Sequence, residues 1–422
     1  MTPESLTYQC PACGGPLHYD AQTGQPSCEY CGSAFTVEQV EAFYAQQQAK
    51  ADAEAATAAK DVAGSCSKAA PSAGPAAAPG TAGTAAAPTA AAPGTAAAAS
   101  MSQDSSVAAE HSTGQDGVQA YLNSKKPLSE DGPGATCVVC SSCGANLIVS
   151  QNTAVSQCPY CGNNTVVPGT LGDTLMPDLV IPFATTKQQA IDALANHYKG
   201  KFLLPKAFKS ANHIQEIQGV YVPFWLFDAQ AEGSANYHCE NHRYWSDSEY
   251  DYVETTTFEC FRAGSTAFSG IPADGSKRMP NDMMDSIEPY DYSQFRPFSM
   301  AYLPGFLTDR YDEGVTACAP RAEQRAMSSL EVDLRQTVVG YDTVVPSGIN
   351  GTVNYGRISY ALMPVWMLHT TWNGKDYLFA MNGQTGKMVG DLPCDYKKML
   401  LTGLGIFLGV AAVSILASLF LF

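Results

Sequence analysis

The two cysteine-rich stretches of this sequence lack Lys and Arg. Residues 1–49 contain five acidic residues and no basic residue, and residues 135–175 contain one acidic and no basic residue. The whole chain has 24 basic and 40 acidic residues, a formal charge of −16. Proteins bind nucleic acid through Lys and Arg that displace counterions from phosphates, so these absences argue against a DNA or RNA partner. For both stretches we expect contact with a protein partner instead, and the alternative is that they serve only as small folded spacers.

Sequence motifs of several enzyme classes are absent as well. The chain has no Gly-x-x-x-x-Gly-Lys-Ser/Thr loop, no His-Glu-x-x-His pair, no Gly-x-Ser-x-Gly elbow and no dinucleotide fingerprint. The first residues, MTPESLTYQC, lack the basic and apolar regions of a signal peptide. We therefore expect a non-enzymatic protein whose bulk is cytoplasmic, where thiols stay reduced.

One long apolar run stands at the C-terminus. Residues 399–422 contain no charged residue and follow Lys397 and Lys398. Twenty-four residues extend about 36 Å as a helix, more than the ~30 Å hydrocarbon core of a bilayer. A globular helix would need a polar face, which this run lacks. The run predicts a single transmembrane helix, and the lysines before it predict a tail-anchored protein with the preceding chain in the cytoplasm.

The sequence does contain one cysteine pattern twice. Two Cys-x-x-Cys pairs, separated by 14 residues, recur at an offset of 130 residues, and a Gly follows every pair. A tetrahedral metal ion needs four thiolates, and Gly permits the left-handed backbone of a metal-binding knuckle. The pattern predicts two ribbons with one structural zinc ion each. The predicted ligands are Cys10, Cys13, Cys28 and Cys31 in the first ribbon and Cys140, Cys143, Cys158 and Cys161 in the second.

Two questions about these sites stay open at the level of sequence. Ligand type alone does not separate zinc from rubredoxin-type iron, and we favour zinc because no redox-partner motif is visible. Cys137 and Cys140 form an alternative pair, but the repeat register favours Cys140 with Cys143 and leaves Cys137 as a spare thiol or replacement ligand. Since cysteine fills all four positions, the predicted role is structural rather than catalytic.

The rest of the chain predicts a linker and a folded body. Residues 64–117 are rich in Ala, Pro, Gly, Thr and Ser and cannot bury enough apolar surface to fold, and the polar residues 118–134 extend this predicted disordered linker (64–134). About 54 flexible residues give the tether a reach of ~40 Å. Helical and strand-like patterns alternate over residues 175–395 and indicate an α+β body with a mostly antiparallel sheet. The predicted organisation is a first zinc ribbon (1–35), a helix (36–63), the linker (64–134), a second zinc ribbon (135–170), the body (175–395) and a transmembrane helix (399–422).

Two polar groups in the body are weaker candidates for an enzyme site. His238 and His242 share one face of a strand, and four carboxylates cluster between residues 282 and 291. Either group could hold a cation or serve as acid and base. Exposed strand histidines, and the polar face and cap of a short helix, explain them more simply. We therefore assign no catalytic residue.

The features together resemble a bacterial family. Two ribbons of CPxCG type, the segments YVPFWLFDA, PYDYSQFRPFSMAYLPGF and PVWMLHTTWNGKDYLFAMNGQTGKMVGDLP, and an apolar C-terminus resemble membrane-anchored zinc-ribbon proteins of TFIIB type. The resemblance covers nearly the whole chain apart from the Ala/Pro-rich linker, and it implies zinc and a membrane location but no established reaction. Some members are labelled replication-restart helicases, which the missing phosphate-binding loop does not support.

The sequence therefore predicts a tail-anchored cytoplasmic scaffold or adaptor that binds a protein partner at the inner face of the membrane. A nucleic-acid, replication or transcription factor and an enzyme with its site in the body are the two alternative hypotheses.

Overall fold

The computed structural model contains one large sheet with helices on its faces. It describes residues 9–47, 49–50, 114–125, 135–150, 158–163, 166–168, 174–205, 208 and 216–421. Apart from the last residues of α1, 45–47, the features below belong to one compact unit, Met1–Tyr44 with Ser112–Phe422. Its strands are β1 (Leu17–Asp20), β2 (Gln25–Cys28), β3 (Ala135–Cys140), β4 (Asn146–Ser150), β5 (Val166–Pro168), β6 (Leu179–Val180), β7 (Gln218–Ser246), β8 (Asp251–Asp274), β9 (Arg296–Pro297), β10 (Leu307–Asp309), β11 (Thr343–Trp372), β12 (Lys375–Asn382) and β13 (Met388–Gly390). Its helices are α1 (residues 37–47), α2 (Gly114–Ser124), α3 (Lys187–His197), α4 (Asn281–Ile287), α5 (Val315–Gln336) and α6 (Tyr396–Leu421).

The large sheet is mostly antiparallel, as the sequence predicts. Its eleven strands follow the order β13-β12-β11-β7-β10-β4-β3-β5, with β8 paired to β7, β6 paired to β11 and β9 paired to β6. Two pairs of described strands, β7 with β10 and β6 with β11, run parallel. The hairpin of β1 and β2 forms a separate small sheet. The predicted α+β class, with two four-cysteine clusters and one apolar C-terminal helix, is confirmed.

The centre of the large sheet is buried on both faces. In β7, Tyr221 and Trp225 belong to one hydrophobic core, whereas Val220 and Val222 belong to the core on the other face. Successive side chains of a strand point to opposite faces, so a strand covered on both sides is apolar at every position. This explains the uninterrupted apolar run in the sequence. The strand β11 contains a similar apolar run, MPVWML, which shares Pro-x-Trp with the VPFWLF of β7. The two runs lie side by side, with Met363 opposite Val222.

Three strands are much longer than the apolar stretches that predict them. The strands β7, β8 and β11 contain 29, 24 and 30 residues. The helix α5 packs on the extended part of these strands and adds Ala322, Ala326, Leu330 and Leu334, spaced four residues apart, to one of the two cores. Pro320 in the sequence predicts the start of this helix there, but the helix begins at Val315 and contains Pro320 in its second turn.

Part of the predicted linker is helical, so that prediction was wrong for residues 114–124. These residues form α2, where Val118 and Tyr121 are buried on the sheet and the Tyr121 hydroxyl donates to Asp178 Oδ2 at 2.8 Å. Val118, Tyr121 and Leu122 have helical spacing, but the polar residues around them obscure this pattern in the sequence. Residues 64–113 and 126–134 lie outside the described residues. The helix predicted over 36–63 is present over 37–47 and 49–50, and the rest of it also lies outside them.

The apolar C-terminal run forms α6. Residues Tyr396–Ile415 of this helix are long and apolar enough to cross a membrane, and the rest of the protein does not bury them. The backbone N–H of Lys398 donates to Asp395 Oδ1 at 3.2 Å, which caps the start of the helix. The structure therefore agrees with the predicted span in length and composition.

Candidate metal centres

Four closely similar turns carry the eight predicted ligands. The glycine after each Cys-x-x-Cys pair has a positive φ, namely 73°, 71°, 72° and 68° at Gly14, Gly32, Gly144 and Gly162. Each of these N–H groups donates to the carbonyl of the first cysteine of its pair at 2.8–2.9 Å. A side chain is strained in this left-handed region, which is why glycine is needed here. The knuckle geometry predicted from the sequence is present at all four turns.

The first pair of turns brings four sulfur atoms together. The β1–β2 hairpin joins the two turns, so that Cys10 Sγ lies 3.5 Å from Cys31 Sγ and Cys13 Sγ lies 3.5 Å from Cys28 Sγ. All four ligand atoms lie within 4.8 Å of one another. Cys10 and Cys28 are buried, whereas Cys13 and Cys31 are exposed. This cluster therefore lies at the surface of the ribbon, with two of its sulfurs facing inward.

The second pair of turns repeats this arrangement. Cys140 Sγ lies 3.6 Å from Cys161 Sγ, and Cys143 Sγ lies 3.7 Å from Cys158 Sγ. These four ligand atoms are again mutually within 4.8 Å, and Cys137 is not part of the group. Cys137 is buried in β3 instead. The repeat register therefore identifies the converging cysteines correctly.

The sulfur positions fit a tetrahedral metal ion. A tetrahedron with metal–sulfur bonds of ~2.3 Å has edges of about 3.8 Å, close to the observed 3.5–3.7 Å. A disulfide would require about 2.05 Å, and the eight thiols are free. Four thiolates complete the coordination of such an ion and leave no position for substrate or water. A centre of this kind stabilises the fold around it.

A neighbouring serine favours the metal-binding thiolate of one ligand of the first centre. Cys31 Sγ lies 3.3 Å from Ser33 Oγ. The Ser33 hydroxyl and its backbone N–H lower the pKa of the Cys31 thiol to about 6. Because metals bind the thiolate, this contact favours the ligand form at neutral pH.

The first ribbon is docked on the body. The Tyr19 N–H donates to the Pro304 carbonyl at 3.1 Å, and the rings of Tyr19 and Tyr302 are 5.4 Å apart. The His18 ring lies against Gly305, where an added Cβ would come within 3.1 Å of Nδ1. The linker composition predicts a freely moving ribbon, whereas the structure shows this contact. The physical reason is that it buries Tyr19, which is only 7% exposed.

The second ribbon is the edge of the large sheet rather than a separate domain. Strand β4 pairs with β10 of the body, with Leu147 opposite Asp309. Leu147 is fully buried in a core that it shares with the central strands. Arg278 Nη2 donates to the carbonyl of Gly144 at 2.7 Å, and the same side chain pairs with Asp312. The module predicted over residues 135–170 is thus continuous with the body, through contacts between residues far apart in the sequence.

Equivalent tyrosines of the two ribbons have opposite environments. Tyr30 and Tyr160 each precede the last cysteine of their ribbon. Tyr160 is 9% exposed and faces Ser276 and Asp309 of the body. Tyr30 is 79% exposed, and its ring rests on Gly15, where an added Cβ would approach it to 3.2 Å. The face that joins the second ribbon to the body is therefore open in the first ribbon.

The contact at Tyr160 includes a buried carboxylate. Burial raises the pKa of Asp309 to about 7, although Ser276, Tyr160 and Arg278 favour its charged form. Within the described part of the chain, neither carboxylate oxygen of Asp309 has a partner in hydrogen-bond geometry. Sequence reasoning missed Asp309 and Arg278 because nothing near them in the sequence marks a metal centre.

The two histidines singled out in the sequence are held by hydrogen bonds. The Nε2 atoms of His238 and His242 lie 3.5 and 3.4 Å from the Glu240 carboxylate. Their Nδ1 atoms lie 2.8 Å from Glu259 and 3.1 Å from Thr255. The hydrogen bond to Glu259 raises the pKa of His238. In the described residues the converging groups of metal-type ligands are the two cysteine clusters, and this pair is not among them.

Three of the four carboxylates between residues 282 and 291 have structural partners. Asp285 and Glu288 pair with Arg325 of α5 at 3.1 and 2.5 Å. Asp291 accepts a hydrogen bond from the Ser293 N–H at 3.0 Å at the start of a 3-10 turn. The group thus consists of the polar face of α4 and a cap, as the simpler interpretation of the sequence has it.

Comparison with known proteins gives a single line of evidence about relationship. No protein-family model matches the chain, and no solved structure matches it. The uncharacterized protein YdjG of Bacillus subtilis (strain 168) is 34% identical over 250 residues, which cover 58% of this chain and 73% of YdjG. The chain therefore belongs to the same protein family as YdjG.

Proposed function

We propose that the protein is a membrane-anchored zinc-ribbon adaptor that recruits a protein partner to the cytoplasmic face of the cell membrane. Each four-cysteine cluster holds one structural zinc ion, and α6 spans the membrane once. Zinc is proposed over iron because the sequence has no redox-partner motif. The knuckle pattern supports membership of the TFIIB-type zinc ribbons, and Lys397 and Lys398 before the apolar run support a cytoplasmic body.

The exposed knuckle of the first ribbon is the observation that carries the binding proposal. In the second ribbon this face is used, because Tyr160 is buried against the body. In the first ribbon Tyr30 is 79% exposed and is held against Gly15. Tyrosine is enriched at protein interfaces because it combines a large apolar ring with a polar end. The face around Tyr30 is therefore the proposed site for the partner.

The charge of the first ribbon indicates the chemistry of that partner. Glu29 directly precedes Tyr30, and residues 1–49 contain no Lys or Arg. An acidic surface repels phosphate backbones and attracts basic protein surfaces. We therefore propose a partner that presents Lys or Arg around an apolar pocket for Tyr30.

Photo-crosslinking in the protein's own cells tests the proposal. A benzoylphenylalanine side chain replaces Tyr30 in one full-length variant and Tyr250 in a matched control, since Tyr250 is also exposed, at 64%. We expect a discrete crosslinked protein from position 30 in the membrane fraction, unaffected by nuclease. The crosslink should disappear when Cys28→Ser is added, because the ribbon then loses a metal ligand.

Three results would contradict the adaptor proposal. They are a crosslinked product from position 30 that nuclease removes, the same products from positions 30 and 250, and crosslinks from position 30 that persist after Cys28→Ser. The first would favour a nucleic-acid factor, and the other two would show that the folded knuckle does not select the partner.

A further inference from the structure

A turn far away in the sequence lies beside the base of α6. The backbone N–H of Asp395, just before the helix, donates to the Leu203 carbonyl at 2.8 Å. In the first turn of the helix, Lys398 Nζ lies 3.5 Å from the Leu204 carbonyl. These contacts hold residues 199–202, called here the 199–202 turn, close to the point where α6 leaves the body.

The 199–202 turn presents an apolar ring to the outside. Tyr198 and Leu204, on either side, are each 4% exposed and belong to the core of the body. Gly200 reverses the chain direction with a φ of 73°. Between these anchors Phe202 is 66% exposed. A single exposed apolar residue is common on protein surfaces, so the charges near Phe202 decide what it indicates.

The chain segment around Phe202 and the segment that leads into α6 are basic in an otherwise acidic protein. Within residues 199–205 and 391–398 four lysines stand against two aspartates, although the whole chain has a charge of −16. One of the two carboxylates, that of Asp395, is already paired with Lys398 at 3.4 Å. The local excess of positive charge favours an anionic partner. The charged residues of these two segments are Lys199, Lys201, Lys397, Lys398, Asp391 and Asp395.

We propose that the 199–202 turn binds the anionic lipid headgroups of the leaflet that α6 enters. Phe202 inserts at the level of the headgroups, and Lys199 and Lys201 pair with lipid phosphates. This inference rests on the proposed function, because it requires α6 to span the membrane with Lys397 and Lys398 on the cytoplasmic side.

Position and chemistry both favour a lipid surface as the occupant. The turn contacts the first residues of a helix of membrane-spanning length, so the proposed contact is continuous with the membrane that this helix enters. Lysines beside an aromatic ring are the combination that attaches proteins to anionic bilayer surfaces. A second attachment point next to α6 would restrict rotation of the body about the helix axis. It would thereby hold both ribbons in a defined orientation to the membrane.

Fluorescence quenching by brominated lipids tests this contact in the full-length protein. Phe202→Trp places a probe in the 199–202 turn, and the emission of the native tryptophans is subtracted using the wild-type protein. The variant is reconstituted in nanodiscs of phosphatidylcholine alone or with phosphatidylglycerol, with bromine near the headgroup end of the acyl chains. Val339→Trp is the control, because Val339 is also exposed, at 75%, and has no lysine beside it in the sequence.

The expected result depends on lipid charge. In phosphatidylglycerol nanodiscs the emission of the Phe202→Trp probe should fall roughly twofold, as for a side chain at the headgroup boundary. The loss should be smaller in phosphatidylcholine alone, and the variant with Lys199→Glu and Lys201→Glu should abolish it. The emission of the Val339→Trp control should remain unquenched.

Two outcomes separate this inference from the proposed function. A protein that incorporates into nanodiscs, but whose Phe202→Trp probe is unquenched or is quenched equally in both lipids, overturns the lipid contact and leaves the membrane anchor intact. Quenching of the Val339→Trp control to the same extent also overturns it. A protein that does not co-purify with nanodiscs at all contradicts the membrane anchor itself.

Discussion

Removal of one ligand from the second metal centre should disrupt much more of the protein than the same change in the first centre. Cys28→Ser and Cys158→Ser replace corresponding positions of the repeat. Structural zinc contributes directly to folding, so each variant should lose the order of its own ribbon. The loss of order in the body should depend on how many apolar side chains the ribbon contributes to the core of the body.

The two ribbons contribute very differently to the body. The second ribbon places Leu147, Val149 and Tyr160 in the core that it shares with the central strands. At ~1.5–3 kcal/mol for each buried side chain, their loss costs about 5–9 kcal/mol, which is comparable with the stability of a whole domain. The first ribbon contacts the body through the Tyr19 ring, 5.4 Å from that of Tyr302, and through His18 beside Gly305. Burial of the Tyr19 ring in this contact contributes about 2 kcal/mol.

Hydrogen–deuterium exchange of the full-length variants measures this difference peptide by peptide. For Cys158→Ser we expect loss of protection in β7 and β11 as well as in β3 and β4. For Cys28→Ser we expect loss over residues 9–35 and a small change near residues 302–305. Unchanged protection of β7 in Cys158→Ser, or equal losses in the two variants, would refute the reasoning.

Buried charges and a strained glycine give three further predictions. The pKa of Asp309 in the folded protein, about 7, lies above its ordinary value of 3.8. Between pH 3.8 and pH 7 folding therefore takes up a proton, and the stability of the wild-type protein falls as the pH rises. In denaturant titrations the stability of Asp309→Asn relative to wild type should therefore rise by about 1.4 kcal/mol from pH 6 to pH 8; a constant difference would contradict this. In the wild-type protein the Arg321 guanidinium lies 2.5 Å from the buried Asp274 carboxylate. Arg321→Met removes this partner and should lower the free energy of unfolding by about 3–5 kcal/mol at pH 8. The loss should be smaller at pH 5, because burial raises the pKa of Asp274 to about 6 and the carboxyl is then mostly neutral. If Asp274→Asn does not restore the stability of the Arg321→Met variant, the unpaired carboxylate is not the cause of the loss. Gly144 has a φ of 72°, so Gly144→Ala should lower the free energy of unfolding by about 1–2 kcal/mol and speed the loss of metal to a chelator. Unchanged metal retention would exclude strain at this knuckle.

The metal centres were predictable because their geometry is local. A Cys-x-x-Cys-Gly turn is determined by five consecutive residues, and its repetition at a constant offset identifies the partner turn. The start of α3 was predictable for the same reason. Thr186 and Gln189 form a capping box there, and the same spacing predicts the start of α1, where the Thr36 N–H donates to Gln39 Oε1 at 2.9 Å and the Gln39 N–H donates to Thr36 Oγ1 at 3.3 Å.

The setting of the two centres was not predictable, because it depends on contacts between distant residues. Tyr30 and Tyr160 look equivalent in the sequence, and only the pairing of β4 with β10 distinguishes them. The full length of β7 was not predicted because buried positions in its outer part, such as Ala231 and Ala235, carry small side chains that give a weak hydrophobic signal. The helix α2 was missed because the composition of its surroundings outweighed three apolar residues.

Metal analysis of the purified full-length protein tests the central claim most directly. Elemental mass spectrometry, with the protein concentration measured independently, should give two zinc ions per chain. Cobalt substituted for zinc should show the absorption of tetrahedral thiolate coordination at both sites. A fully folded protein without metal, or iron with its visible absorption in place of zinc, would contradict the claim that eight cysteines hold two structural zinc ions.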